Sequence, residues 1–359
     1  MLSQNEMLIV SKYFNTISDY INLIKCCTEY NEILNNYKYN PIPLNQVNYK
    51  FFPNVQTYHI YHKKHFKDFD KYKNIPKVIW HPVNYTRYLR SNANEQYKNV
   101  KLTKKDVTIN NFEKWAITFD CYGNLETIVI PDEIIKLDEE CFEGRSHLRN
   151  IILPTNLKEI GDNCFDSCEN LKNIIFPSML KEIGEYCFSS CKSLRNISLP
   201  NGITKINDNC FSFCCSLANA KLPSTLKEID VDAFRGCINL KEIIIPDGIT
   251  KISECFGYCA KLEKVILPNS LIIIDKECFE HCYSLTNIKL PTNLKEIGKS
   301  TFYQCSYLKE IIIPDSVTKI GSDCFRKCYN LKNIYLSTNL KEIGDNCFDG
   351  CISLKKSKE

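Results

Sequence analysis

Cysteine carries most of the latent chemistry of this chain. Cys makes up 21 of the 359 residues, and most recur in pairs four apart around a phenylalanine, as in Cys164-Phe165-Asp166-Ser167-Cys168 and again from Cys347 to Cys351. Paired thiols at that spacing could ligate a metal, form a redox couple, join a disulfide framework, or pack as small buried residues. Histidine adds two arrangements. His281 sits between Cys278 and Cys282, the composition of a dyad in which an imidazole activates a thiol. His59, His62 and His65 recur every third residue, which on a helix would present two imidazoles to a metal. Their tract, FPNVQTYHIYH from Phe52, alternates like a strand, where i and i+3 face opposite ways, so they are expected to be surface histidines. The sequence has no phosphate loop, dinucleotide fingerprint or nucleophile elbow. The expectation is a non-enzymatic protein with no catalytic residue, no metal and no cofactor.

A repeat positions the cysteines. Pro131, Pro154, Pro177, Pro200, Pro223, Pro246, Pro268, Pro291 and Pro314, with Ser337 in the tenth place, lie 23 residues apart except for one interval of 22. Self-similarity at a fixed period marks a stacked array, whose coils are numbered 1 to 10 by these anchors. Coil 4 shows the frame, L-R-N-I-S-L-P-N-G-I-T-K-I-N-D-N-C-F-S-F-C. Phenylalanine fills one column in every coil, from Phe142 to Phe348, and predicts a stacked aromatic spine. The short apolar run 171–176, bounded by Pro177, predicts one buried strand per coil. Leu171, Ile174 and Phe176 should point inward, and Lys172, Asn173 and Ile175 outward. A second extended piece, LKEIG, ends at Gly161, Gly184, Gly298, Gly321 or Gly344, with Asp, Asn or Ser in the other coils. Those residue types suit a left-handed or tight-turn conformation.

The first cysteine column is interrupted by Ala233 and Thr301, and the second begins with Arg145. A ligand set would not tolerate those gaps, and zinc sites come as isolated sets of four ligands. A free cysteine behaves as a small hydrophobe, which suits an interior shared with phenylalanine. Disulfide ladders stay open, because coils stacked roughly 4.8 Å apart lie within the Cα separation that a disulfide permits.

Function in such an array belongs to positions the frame leaves free. The last outward strand column carries Ile152, Ile175, Ile244, Ile266, Ile312 and Tyr335, and the flanking column Arg149, Lys172, Arg195, Lys241 and Lys309. Together they are the candidate binding residues: an apolar stripe for a protein partner, with a basic rim suited to an acidic one.

Apolar residues make up 44% and charged residues 25% of the chain, which excludes disorder as the dominant state. The net charge of +4 divides unevenly: 17 Lys and Arg against 10 Asp and Glu in residues 1–120, then 29 against 32. That basic excess is interspersed with acids, so nucleic acid is not the expected partner. The start, MLSQNEMLIVSKYFNTISDY, does not read as a secretory signal, and no apolar run approaches the roughly 18 residues of a membrane helix. The expected compartment is the cytoplasm, with export to the cell surface by a non-classical route as the alternative.

The frame L-x-x-I-x-L-P-x-x-L-x-x-I-G-x-x-x-F-x-x-C, over about residues 125–354, resembles the leucine-rich repeat of the BspA-like family. The resemblance implies a mostly β, α/β-type curved solenoid of about ten coils, with a parallel sheet on its concave side that binds other proteins. Residues 121–359 would form the solenoid. Residues 1–120 would form a helical or mixed cap, helical near 4–35 and with degenerate coils from about 50. Within it, VSKYFNTISDYINLIKCCTEYNEI resembles an F-box, with Tyr13 and Phe14, Asp19 and Tyr20, and Cys26 and Cys27 at its signature places, and Asn5-Glu6-Met7 where the Leu-Pro opening would stand. This implies ubiquitin-ligase components as partners of residues 1–120. The leading expectation is an interaction scaffold using the concave sheet; a ubiquitin-ligase adaptor and a cell-surface adhesion protein are the alternatives.

Overall fold

The structure is a computed structural model that describes residues 11, 14–26, 33–44, 48–62, 75–91, 95–108, 116–119 and 125–354. It divides into two compact units, Met1–Lys101 and Leu102–Glu359.

Helix in the first unit is short: Ile17–Cys26 and the single turn Tyr85–Tyr88, with 3-10 turns at 33–36 and Tyr49–Phe51. Of the expected helical stretch 4–35, residues 4–10, 12–13 and 27–32 lie outside the described residues. Thr16 and Asp19 start the long helix. The Asp19 carboxylate accepts from the Thr16 backbone N–H at 2.8 Å, while the Asp19 N–H donates back to Thr16 Oγ1 at 3.3 Å, a reciprocal cap. Three strands, Tyr58–Ile60, Lys77–Ile79 and Glu95–Tyr97, pair in parallel and in register. Parallel partners so close in sequence make each a short coil of the same kind as the later repeats.

The second unit is a curved, mostly parallel solenoid of ten coils. Its head is a hairpin in which Ala116–Phe119 pairs antiparallel with Leu125–Val129, covering an edge that would otherwise template aggregation. The inward positions behave as the frame requires. Leu171, Ile174 and Phe176 are buried while Lys172, Asn173 and Ile175 are exposed. The phenylalanines stack with centroids 5.2 to 5.8 Å apart and planes within 12° from Phe142 to Phe348. That offset-parallel geometry is one the ring quadrupole favours.

Three hydrogen-bond ladders join the coils. One runs through the buried strands, for example Asn196–Ser198 onto Asn219–Lys221. A second runs through the two-residue extended pieces, such as Glu159–Ile160 onto Glu182–Ile183. The third runs through the corner that holds the cysteines. There, Glu140, Phe142 and Gly144 donate to the carbonyls of Asp162, Cys164 and Asp166 at 2.8 to 2.9 Å, and the pattern recurs down the array. Two residues per corner hold φ between 52° and 75°, in all ten coils: Asn163 and Ser167 in coil 2, Tyr186 and Ser190 in coil 3.

The glycine column therefore has a different cause from the one its composition suggests. Gly161, Gly184, Gly298, Gly321 and Gly344 are not left-handed; the left-handed positions lie two and six residues later. Close approach selects glycine here. A Cβ on Gly184 would lie 2.5 Å from the Asp162 nitrogen and 2.6 Å from the Gly161 carbonyl carbon. The Gly184 N–H in turn donates to Ile160 O at 2.8 Å. The single 22-residue interval also has a visible effect. Coil 6 lacks one residue between Ser253 and Glu254 relative to coil 5, and Asp232, alone among the corner donors of coils 1 to 9, makes no bond to the next coil.

The expected strand is missing from two coils: in coil 3 the segment 171–176 keeps only isolated bridges from Asn173 to Asn150 and Asn196, and in coil 8 even these are absent. Residues 286–291 of coil 8 are unpaired, so the strand sheet, which already breaks between Asn150–Ile152 and Asn196–Ser198, breaks again between Lys264–Ile266 and Glu310–Ile312.

Candidate functional site

The candidate binding residues all belong to the second unit, and the strand pleat turns them outward. Ile152, Ile175, Ile244, Ile266, Ile312 and Tyr335 are between 40% (Ile266) and 85% (Ile175) exposed, while the next residue inward, such as Ile243 or Ile311, is buried. Strand register places Ile244 against Ile266 and Ile312 against Tyr335. The column is thus a series of apolar pairs. Ser198 with Lys221 and then Lys289, all exposed, separate them.

The basic column is less uniform than its composition implies. Arg149 is engaged by Glu126 at 3.1 Å; Lys172, Arg195, Lys241 and Lys309 are exposed. Between the two columns runs a third that the sequence reading passed over. Asn150, Asn173, Asn196, Asn219, Asn287 and Asn333 share one outward register. Asn219 Nδ2 donates to Asn196 Oδ1 at 2.7 Å and Asn333 Nδ2 to Glu310 at 3.3 Å. The recurrence of Asn before the strand isoleucine was the available signal. The face is therefore amphipathic in columns: cationic, amide, apolar.

The thiols have a different occupation. In the second cysteine column each Sγ donates to the phenylalanine carbonyl one coil earlier: Cys168 to Phe142, Cys191 to Phe165 and Cys214 to Phe188, all at 3.2 Å. Cysteine here is a weak donor as well as a small hydrophobe. Thr301, which interrupts the first column, fits the same logic, because its hydroxyl donates to Asp275 O and Gly298 O at 3.0 and 2.9 Å. Burial pushes the Cys168 and Cys259 thiols up to about 12, far from the thiolate that nucleophilic or metal chemistry needs. The cysteines whose side chains are described, from Cys141 to Cys351, are free thiols. Among the described residues no group of three or more His, Cys, Asp or Glu is placed to hold a metal, and no helix is long and apolar enough to cross a membrane.

The histidine arrangements dissolve for similar reasons. His281 faces outward, stacked on Tyr258 at 4.3 Å, with Nδ1 2.9 Å from the Tyr283 hydroxyl and Nε2 3.2 Å from Glu280. Cys282 points inward and donates to Phe256 O at 3.3 Å, so no dyad forms. His59 is not a surface histidine. It stacks on Tyr39 at 4.4 Å and its Nδ1 accepts from Trp80 Nε1 at 3.2 Å, and burial, with Lys98 adding to it, lowers its pKa to about 4. His65 lies outside the described residues.

Of the F-box-like positions, Tyr13 and Cys27 lie outside the described residues. Asp19 is the helix cap described above, and Tyr20 is buried within 6.0 Å of Phe14, Tyr37 and Phe52.

A stacked, mostly parallel solenoid with free outward strand columns defines a leucine-rich repeat protein. The family profile of the BspA type leucine rich repeat region, which itself spans six copies of the repeat, matches residues 116–241 and again 227–355, and the chain belongs to that family. Solved structures similar to it include the T. pallidum leucine rich repeat protein, 27% identical over 51% of this chain and 77% of that one with a TM-score of 0.41. Another is a leucine-rich repeat protein from Bacteroides ovatus, 28% identical over 77% and 85% with a TM-score of 0.41. A leucine rich cell surface protein from Faecalibacterium prausnitzii is 23% identical over 72% and 82%, with a TM-score of 0.40. No curated protein matches the chain.

Proposed function

We propose that this protein is a non-enzymatic interaction scaffold that binds a protein partner on the concave face of its strand sheet. One observation carries the reading: six large apolar side chains stand exposed in a single outward column, where water-facing strands ordinarily present polar residues. Apolar anchors near the centre of an interface carry most of its free energy. The amide and cationic columns supply the polar rim. No particular observation favours the ubiquitin-ligase or adhesion alternatives.

The test compares two triple variants in affinity capture followed by mass spectrometry. Ile175→Ser, Ile244→Ser and Ile312→Ser should abolish recovery of the partner that the wild type retains. Lys158→Ala, Lys181→Ala and Lys227→Ala, in the second extended pieces, should retain it. The opposite result would place binding on another face.

A further inference from the structure

The strand sheet is interrupted at coils 3 and 8; Asn173 still bridges coil 3 to both neighbours, whereas coil 8 keeps no bridge and a cavity lies beside it. Leu285, Ile288 and Leu290 are buried, as the frame requires, so the segment is packed like a strand. Its backbone is not paired like one. At a regular joint such as coil 4 to coil 5, Ala218 N–H donates to Arg195 O at 2.9 Å and Leu199 N–H to Lys221 O at 3.0 Å, with the register bonds between them. On the coil 9 side of coil 8, only Lys309 N–H to Thr286 O at 3.0 Å survives. The N–H groups of Ile288 and Leu290 and the Ile288 carbonyl make no main-chain bond, and neither do the Ile312 N–H and Glu310 carbonyl that face them. The slit closes again beyond them, where Ser316 Oγ donates to Leu294 O at 2.6 Å and Thr318 N–H to Lys295 O at 3.0 Å. Between these two closures lies a cavity of about 570 Å³. Ile288, Leu290, Ile311 and Pro314 form its apolar floor and wall, and Lys289 and Asp315 its rim.

Main-chain donors and acceptors that alternate along both walls, without partners, are complementary to another main chain. Strand addition at an exposed sheet edge uses those groups for affinity and side-chain pockets for specificity. The volume falls within the range of formed ligand pockets, roughly 300–1,000 Å³. The rim carries both signs of charge, which does not suit a polyanion.

We propose that the slit between coils 8 and 9 is the docking site for a short extended segment of a partner protein. Its backbone bonds to Ile288 and Ile312, and an apolar side chain seats against Ile288, Leu290 and Ile311. This deepens the scaffold reading, on which it rests, by naming the shape of one element of the partner.

The probe is a random octapeptide library displayed on phage and selected against the full chain, with the best peptide then synthesised. The receptor variant carries Lys289→Cys and Ile312→Cys, neighbours in the outward column on either side of the slit. Their disulfide needs a Cα separation below about 7 Å and so clamps the slit shut, while the reduced form leaves it open. The peptide should bind at least tenfold more weakly to the oxidised than to the reduced variant. Methylating alternate backbone nitrogens of the peptide should weaken binding to the wild type by a similar factor. On the wild type, the peptide should slow hydrogen exchange across 286–290 and 310–313 but not across 242–245, a readout that needs no variant. Failure to enrich any peptide, or equal binding to the clamped and open forms, overturns the proposal. A peptide that ignores the clamp but is lost with Ile175→Ser and Ile244→Ser overturns the slit while leaving the scaffold reading standing.

Discussion

Each thiol of the second cysteine column meets a phenylalanine carbonyl one coil earlier, so a single residue type supplies both volume and a donor. The carbonyl keeps its bond from the residue three positions on, as Phe211 O does from the Cys214 N–H at 3.3 Å. Cys237→Ala should therefore cost only about 1 kcal/mol, of the order of deleting one buried methyl group, measured as a shift in the denaturation midpoint. A cost above that of a spine substitution would mean that the thiol is more than packing and a weak bond. Native protein should react slowly with a thiol reagent, starting with the partly exposed Cys215 and Cys351, and titrate for close to 21 thiols after denaturation without reductant. His59 gives a pH signature. Its folded pKa of about 4 lies below the ordinary 6.5, so between those values the unfolded chain binds a proton that the folded chain refuses. The stability it contributes is present above pH 6.5 and lost as pH falls towards 4. A His59→Phe variant should lose stability less steeply over that window in urea titrations at stepped pH; equal slopes would rule out His59 as the source.

The strands, their inward and outward faces and the aromatic spine were all legible in the sequence, because each follows from a column pattern that one coil determines. Leu171, Ile174 and Phe176 needed only strand alternation. What was not legible depends on the distance between coils. The glycine column looked like a turn signal because Asp, Asn and Ser share it, yet Gly184 is small because the Asp162 backbone lies against it. The left-handed positions escaped for the converse reason: Glu140, Tyr186, Phe213 and Lys327 all adopt them, and such side chains carry no signature of positive φ. Of the candidate site, the apolar and basic columns were visible as exceptions to strand polarity. The interruption at coil 8 was not, because Leu285, Ile288 and Leu290 keep the frame. Two substitutions test the corner. Tyr186→Gly, at φ 54° with an exposed side chain, relieves a conformation costing roughly 1 to 2 kcal/mol for an L-residue; after the entropy lost to glycine it should leave a small rise in melting temperature. Phe234→Ala should cost about 3 to 5 kcal/mol as a large-to-small core change. An unchanged melting temperature there would remove the column from the core.

A solenoid coheres only through contacts between neighbouring coils, so its stability is decided at the joints. None of the three ladders is continuous. The strand ladder thins to isolated bridges at coil 3 and lapses around coil 8, where the corner bonds Phe279 to Thr301 and Phe302 to Cys324 and the second-piece pairing Ile274 to Ile297 persist. The second-piece ladder lapses between coils 3 and 4, where the Asn207 side chain takes over by donating to Ile183 O at 2.7 Å. Between coils 5 and 6 all three ladders weaken at once, the strand pairing falling to Asn219 with Glu242. The second-piece pairing is absent and the corner loses its Asp232 rung, at the place where the sequence drops one residue. That joint is the one at which strand, second-piece and corner ladders are all thinned. Inserting one Asp between Ser253 and Glu254 restores the 23-residue spacing and supplies the missing carbonyl. If the lapse is a consequence of the deletion, the insertion should add about 1 kcal/mol, the net worth of one hydrogen bond, and slow hydrogen exchange at Asp232 towards that of Asn209. A lowered melting temperature with unchanged exchange at Asp232 would show instead that coil 6 is packed for its shorter length, and that the joint draws its strength from the Phe234–Phe256 stack rather than from the ladders.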